Sequence, residues 1–260
     1  MLRAILLCFS ALALGGCVGS TGGDLFEFDA YARGHADATA PFVNGKGYTV
    51  TLARAHVRLG GVYLNRAVPT SVSSNTSCTL AGVYVAEVTS PLEVDALSPE
   101  PQPFPARGEA TADVARTGEV WLTGGDVNNP DDATVILDVA GNAERDGTSA
   151  AFEGQLTIGE NRAEPAPPEE PGQRPICKER IVSPIVVDVT PARGDKLVLT
   201  IDPRSMFANV DFSELEPGDD GNLQFDDDPN TATPASTNLY VGLRATSSVY
   251  DFAFERGGDQ

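Results

Sequence analysis

The sequence predicts an all-β fold: an antiparallel β-sandwich or a partly open barrel with at most one short helix. In many short segments apolar side chains recur at every second position, whereas helical periodicity is nearly absent. Glycine, proline, asparagine and aspartate separate these segments, as is typical of sandwiches and barrels. The chain has 260 residues, of which 41% are hydrophobic, and can bury a sizeable core. We expect one domain over residues 25–257 and leave open a division into two lobes.

The last strand shows the clearest alternation. Its aromatic residues point to one face and its charged residues to the other: Tyr250, Phe252 and Phe254 against Asp251 and Glu255. Three aromatic side chains on one face are a strong reason to place this strand against the core.

The same alternation predicts further strands along the chain. They lie at residues 25–31, 47–59, 61–65, 82–88, 92–97, 118–122, 133–139, 152–158, 185–189, 196–201 and 238–244. Residues 203–215 form the single helix prediction, since Asp202 can cap a helix and Pro203 suits its first turn. Residues 98–105 and 165–175 are rich in proline and are predicted as loops.

The N-terminus carries the pattern of a secretory signal. Arg3 is the only charged residue before Asp24, and residues 4–14 are almost all apolar. This segment would rise about 16 Å as a helix, which is too short to cross a bilayer core. A basic start, a short apolar segment and small residues at its end are typical of a signal peptide, which we place at residues 1–16.

The end of this segment resembles a known processing motif. Leu14-Gly15-Gly16-Cys17 is similar to the lipobox of bacterial lipoproteins. The resemblance covers residues 1–17 and implies that Cys17 is acylated and becomes the mature N-terminus. Val18 follows the cysteine in place of the Asp that marks inner-membrane retention in enterobacterial lipoproteins, which favours the outer membrane. The alternative is an ordinary signal peptide in which Cys17 has no special role.

Residues 17–24 then comprise the acylated cysteine and a short tether to the body of the protein. Residues 18–24 span at most about 24 Å when extended, so the body is expected to lie close to its membrane. The partners implied are the membrane, through the acyl chains, and a further envelope protein.

The charge balance narrows the classes of function. With 18 Lys and Arg against 37 Asp and Glu, the formal net charge is −19. No basic surface is left that could displace counterions from phosphates, which argues against nucleic-acid binding. Two histidines supply little for imidazole-rich metal sites or for histidine-dependent catalysis.

Cysteine usage fits an oxidising compartment. Cys8 leaves with the signal peptide and Cys17 takes the lipid, so Cys78 and Cys177 are left in an exported chain. We predict a disulfide between them. Closing a loop of about 100 residues would stabilise the fold by roughly 4–5 kcal/mol on the chain-entropy model. Two free buried thiols are the alternative.

Two acidic groups could supply oxygen ligands for calcium. They contain Asp126, Asn128 and Asp131, and Asp226, Asp227 and Asp228. Calcium takes six to eight oxygen atoms, which clustered Asp and Asn side chains in loops could provide. Neither group has the EF-hand spacing, and the same residue types are common in plain turns, which are the alternative. No cofactor other than calcium is expected.

One basic stripe stands out on this acidic chain. Arg54, His56 and Arg58 alternate along a predicted strand, and the residues expected to pack on its other face are Ala53, Ala55, Val57 and Leu59. The stripe could receive a carboxylate, a phosphate or an acidic partner. Pairing with the protein's own Asp and Glu side chains is the alternative.

Trp121 is the only tryptophan of the chain. An exposed strand tryptophan could stack on a sugar ligand, whereas a buried one would belong to the core.

No catalytic motif appears in the sequence. The Gly-x-Ser-x-Gly, His-Glu-x-x-His and P-loop patterns are all missing. We therefore expect a membrane-anchored envelope lipoprotein that acts as a non-enzymatic binding or structural module. The alternatives are a calcium-dependent binding or adhesion module and a carboxylate-based envelope hydrolase.

Overall fold

Two β-sheets organise the chain. The computed structural model describes residues 23–67, 83–124, 127, 129, 132–158, 179–227 and 232–256. Over these residues the larger sheet has nine strands: β1 (Phe26–Gly34), β4 (Gly61–Asn65), β5 (Tyr84–Val88), β7 (Gln102–Pro103), β8 (Gly108–Ala110), β9 (Ala115–Trp121), β12 (Ile181–Val189), β13 (Asp195–Ile201) and β16 (Tyr250–Arg256). The smaller sheet has seven: β2 (Phe42–Val43), β3 (Thr49–Leu59), β6 (Leu92–Asp95), β10 (Val135–Arg145), β11 (Thr148–Thr157), β14 (Glu216–Pro217) and β15 (Leu223–Phe225).

The two sheets have matching strand orders and are joined through Gly60. The order β11-β10-β3-β6 in the smaller sheet corresponds to the order β12-β9-β4-β5 in the larger one. Gly60 alone separates β3 from β4. A Cβ atom at Gly60 would lie 2.4 Å from the Thr123 Cγ2 atom, so glycine is needed where the chain passes from one sheet to the other.

The larger sheet curls until its edges approach each other. Its strand order is β12-β9-β4-β5-β8-β1-β13-β16, and the edge strands β12 and β16 are in contact. The result is a nearly closed, barrel-like sheet, which confirms the all-β prediction. Most neighbouring strands are antiparallel, but β1 pairs with β13 and β11 with β15 in parallel.

Helical turns cover the inner face of the smaller sheet. They are the 3₁₀ turns Pro203–Phe207 and Phe212–Glu214 and the helix α1 (Pro234–Leu243). Phe152, Phe207, Phe212 and Phe225 form the aromatic centre of this layer, with the Phe152 and Phe212 ring centroids 4.9 Å apart. One cluster of buried apolar side chains extends from these rings into the larger sheet.

The last strand is placed as its alternation predicts. Tyr250 and Phe252 of β16 are buried, and the Phe254 ring packs edge-on against Phe28 at 5.5 Å between centroids. Asp251 and Glu255 are exposed on the opposite face.

Three local predictions are wrong. The predicted loop at residues 98–105 contains the two-residue strand β7, which pairs with β1. Residues 238–244 were expected as a strand, but they lie in α1, which Thr233 caps by accepting a hydrogen bond from the Ser236 amide. Leu239, Tyr240 and Leu243 are buried on one face of this helix, so tertiary packing overrides the β preference of its tyrosine and valine. The continuous helix expected at residues 203–215 is instead two 3₁₀ turns, although Asp202 does cap the first by accepting from the Arg204 amide.

A smaller correction concerns the strand that carries the basic stripe. Ala55, Val57 and Leu59 are buried as expected, but Ala53 is exposed. The register shifts here, since Arg54 pairs with Ala140 and Leu52 with Gly141. Ala53 is the extra residue of a β-bulge, which turns its side chain away from the core.

Candidate functional site

The basic stripe lies on the outer face of the smaller sheet and meets the protein's own carboxylates. The Arg54 Nε atom lies 3.0 Å from the Asp138 Oδ1 atom. The His56 Nδ1 atom lies 4.0 Å from the Glu93 Oε1 atom, and Glu93 pairs across the strands with Arg58. The alternation of the stripe is as predicted, and a role in binding stays a prediction.

Trp121 belongs to a row of aromatic rings on the outer face of the larger sheet. The Tyr63 ring centroid lies 4.6 Å from that of Trp121 and 5.2 Å from that of Tyr84. Buried Glu119 accepts hydrogen bonds from Asn65 Nδ2 at 2.8 Å and from the Trp121 indole at 3.4 Å. Burial, with the nearby charges of Glu87 and Glu119, raises the pKa of the Tyr63 hydroxyl.

Asp132, which follows the first acidic group in the chain, and Asp226 and Asp227 of the second group lie at one end of the β10–β11 ladder. The Asp227 carboxylate accepts hydrogen bonds from the amide and hydroxyl of Thr157 at 2.8 and 2.5 Å. Thr157 pairs with Val135 across the two strands. Asp132 lies three residues before Val135 and accepts a hydrogen bond from the Thr134 amide at 3.1 Å. Asp226 lies beside Asp227, and its amide donates to Ser236. Asp132, Asp226 and Asp227 are thus brought to the same end of one strand pair.

Hydrogen bonding determines the charge state of Asp132. Burial would raise the pKa of this carboxyl, but donors on Thr134 and Thr123 and the guanidinium of buried Arg180 together hold its pKa below the ordinary value. No group of three or more His, Cys, Asp or Glu side chains with metal-ligand geometry occurs among the residues that the structure describes. Asp126, Asn128, Asp131 and Asp228 lie outside those residues, as do Cys17, Cys78 and Cys177 with their predicted acylation and disulfide.

A groove that the sequence did not indicate lies at the far tip of the smaller sheet. It has a volume of about 420 Å³ and opens beside the turn between β10 and β11. Its apolar wall consists of Ala143, Ala150, Phe212, Leu215 and Leu223. Its polar wall consists of Tyr48, Arg145, Asp146, Thr148 and Ser213.

Asp211 is the centre of the polar network behind this groove. Its Oδ1 atom accepts hydrogen bonds from the Tyr48 hydroxyl at 3.0 Å and from the Ser213 hydroxyl at 2.7 Å. The Arg145 guanidinium lies 3.6 Å from the same oxygen and 4.1 Å above the Tyr48 ring. The donors on Ser213, which outweigh the effect of burial, together with Tyr48 and Arg145 hold the pKa of the Asp211 carboxyl below its ordinary value.

The groove therefore combines an apolar wall with an ionised, hydrogen-bonded network. Concave sites with mostly apolar walls and a few convergent polar groups are the usual form of small-molecule sites. Tyr48 and Asp211 are 163 positions apart in the chain, so no local sequence pattern joins them. The only local signal is Asp211 as the cap of a short turn, where it accepts from the Ser213 amide.

Comparison with known proteins adds no assignment to this site. No protein-family model, no curated protein and no solved structure matches the chain. Within the described part of the chain, every helix is too short or too polar to cross a membrane.

Proposed function

We propose that this chain is an envelope lipoprotein, anchored through Cys17, that acts as a non-enzymatic binding module. Its ligand is a small amphipathic molecule, held in the groove beside Tyr48 and Arg145. The observation that carries the proposal is the groove itself, which has a volume of about 420 Å³. Its apolar wall faces an arginine, an aspartate and three hydroxyl-bearing side chains. That volume lies within the usual range for small-molecule pockets.

The chemistry of the two walls supports this ligand class. Phe212, Leu215 and Leu223 offer apolar contact, which favours a ring or a short aliphatic chain. Arg145 stacks on Tyr48 with one face of its guanidinium, and its side chain is 35% exposed. A guanidinium in this position can pair with a carboxylate, sulfonate or phosphate on the ligand.

The lowered pKa of Asp211 argues against a role for this carboxyl as a general acid. A carboxyl whose pKa is held below its ordinary value is ionised at neutral pH and cannot donate a proton there. A carboxylate-based hydrolase needs one carboxyl with a raised pKa as its general acid. Asp211 serves better as a fixed anion that orients Tyr48, Ser213 and Arg145.

The test uses a fluorescent amphiphile as the probe. 1-Anilinonaphthalene-8-sulfonate carries fused rings and one anionic group, and its fluorescence rises in an apolar site. We expect saturable binding to the mature protein. Replacing Ala150→Phe, which fills the groove, or Arg145→Gln, which removes its cation, should weaken binding by at least about fivefold, or about 1 kcal/mol.

A matched control separates the groove from general surface binding. Arg33 has a similarly exposed side chain, 33% against 35%, and it also pairs with a carboxylate, at 3.1 Å. The Arg33→Gln variant should bind the probe like the unmodified protein. Unchanged binding in both groove variants would show that the groove is not the binding site.

The anchor has its own test. Substituting Cys17→Ser should release the protein from the membrane fraction into the soluble fraction, because the acyl chains provide the attachment. If the variant stays with the membrane at the level of the unmodified protein, acylation at Cys17 is not what holds it there.

Calcium-dependent binding is a second candidate, favoured by the carboxylates at one end of the β10–β11 ladder. Asp132 and Asp227 accept hydrogen bonds from Thr134 and Thr157 there, and Asp226 precedes Asp227. Calcium at about 100 times its dissociation constant would stabilise the protein by roughly 2.7 kcal/mol and raise Tm by roughly 5–10 °C over chelator. A rise that magnesium does not reproduce would support this candidate, and an unchanged Tm would leave the groove as the better account.

A further inference from the structure

The end of the larger sheet at which β1 begins forms a surface that we call the rim. Its exposed or partly exposed side chains are Asp24, Leu25, Arg66, Val83, Tyr84, Asp113, Val114, Arg193, Asp195 and Arg256. The sheet register places them together. Phe26 pairs with Ala110, the Arg66 amide donates to Val83, Val189 pairs with Ala115, and Asp195 pairs with Arg256.

Exposed apolar side chains are concentrated on the rim. Leu25 is 61% exposed, Val83 55% and Val114 37%, and Tyr84 is exposed beside Val83. These are four of the eight exposed large hydrophobic side chains among the described residues. Single exposed apolar residues need no explanation, but their accumulation at one end of a sheet indicates a contact surface.

The rim is also close to neutral. With the charged residues that line its groove (Glu27, Arg107 and Glu109), four arginines stand against five acidic residues, whereas the whole chain has a net charge of −19. Arg66 is paired with Asp113. Arg193 is exposed and lies 5.4 Å from the Phe26 ring centroid, in an open groove of about 580 Å³ that Leu25 also lines.

The predicted anchor leads to the same place. Gly23 lies beside Ala112 at the rim, where β1 follows after two residues. Residues 18–24, between acylated Cys17 and the body, span at most about 24 Å. The predicted anchor therefore attaches the chain to the membrane beside the rim.

We propose that the rim rests on the lipid bilayer in which Cys17 is anchored. This inference rests on the lipid anchor of the proposed function, but not on the ligand groove. Leu25, Val83 and Val114 lie at the boundary between headgroups and acyl chains, and Arg193 and Arg256 pair with lipid phosphates. A nearly neutral rim with arginines avoids the repulsion that an acidic surface would meet at anionic lipids.

The test measures depth in vesicles. The acylated protein is reconstituted in phosphatidylethanolamine and phosphatidylglycerol vesicles that contain a nitroxide-labelled phospholipid. A thiol-reactive fluorophore is placed at Val114→Cys on the rim, or at Val43→Cys, which is 71% exposed on β2 in the other sheet. Labelled protein without an added cysteine serves as the blank, and flotation with the vesicles first establishes anchoring.

The expected result is nitroxide quenching at position 114 that exceeds quenching at position 43 by at least about twofold, because interfacial groups enter the bilayer by only about 5–10 Å. Leu25→Asp added to the Val114→Cys protein should lower the quenching toward the level at position 43. If the protein floats with the vesicles and both positions are quenched equally, the rim is not the membrane contact, although the anchor stands. If it does not float, the anchor and this inference fail together, while probe binding in the groove remains a separate result.

Discussion

Replacing Asp211→Asn tests whether an ionised carboxylate holds the groove together. The substitution keeps the shape of the side chain and its Oδ1 acceptor but removes the negative charge. Hydrogen bonds to a charged group contribute about 1.5–3 kcal/mol, against about 0.5–1.5 for neutral pairs. Three donors, the Tyr48 hydroxyl and the amide and hydroxyl of Ser213, converge on this one oxygen. Because such effects are not additive, we expect a total loss of about 1.5–3 kcal/mol.

The pH dependence of this loss has a defined sign. The folded-state pKa of Asp211 is depressed, so its stabilisation is fully present above the unfolded-state pKa, which is about 3.9 for aspartate. It is lost as pH falls through the folded-state pKa. The difference in unfolding free energy between the unmodified protein and Asp211→Asn should therefore be constant from pH 7 to pH 5 and shrink below about pH 4.

Urea unfolding at pH 7, 5 and 3.5 measures this difference. A loss of about 1.5–3 kcal/mol corresponds to a fall in Tm of roughly 3–12 °C for a chain of this size. Asp188→Asn is the control, because Asp188 is an exposed carboxylate paired with Arg116 and should contribute less than about 1 kcal/mol. The reasoning would be refuted if Asp211→Asn matched the unmodified protein at pH 7, or if the difference grew as the pH fell.

Three further substitutions test individual contacts of the fold. Gly118→Ala would place a Cβ atom 2.6 Å from the Phe252 Cε2 atom, so we expect a loss of about 1–3 kcal/mol in the free energy of unfolding by urea. An unchanged midpoint would contradict this contact. Asp227→Asn should lower Tm equally in chelator and in calcium, because Asp227 accepts hydrogen bonds from Thr157. If Tm fell only when calcium was present, Asp227 would be a metal ligand instead. Arg180→Met removes a guanidinium that is 1% exposed and lies 4.0 Å from the Asp132 Oδ2 atom. We expect thermal unfolding to show a loss of about 3–5 kcal/mol in unfolding free energy. A loss below about 1 kcal/mol would mean that Arg180 and Asp132 are not coupled.

The strands could be predicted because alternation is a local property. β11 and β16 bury side chains at alternate positions, and β3 does so on each side of its bulge at Ala53. A single segment of sequence reveals this pattern. Helix α1 could not be found this way, because Tyr240 and Val241 favour strands when considered alone. Thr233 followed by Pro234 is a helix start, and this signal identifies the helix once it is given more weight than the hydrophobic pattern.

The candidate site was largely beyond sequence reasoning because it depends on strand register. Trp121 was identified, but its neighbours Tyr63 and Tyr84 come from two other strands. Asp211 lay inside a predicted helix, and nothing in its vicinity indicated a contact with Tyr48. A site assembled across a sheet becomes visible only when the pairing of distant strands is known.

The groove lies beside the start of β3 and the rim lies beside the end of β4, and Gly60 alone separates these two strands along the chain. The segment from Tyr48 in the groove to Asn65 beside the rim follows β3 and β4 and would measure at most about 55 Å if straight. The bend at Gly60 shortens this distance, but it leaves the two features in different sheets. If the anchored molecule rests on its rim, the groove lies beside the other end of this β3–β4 segment. We therefore predict that the groove takes its ligand from the surrounding solution or from a partner protein rather than from the bilayer that holds the anchor.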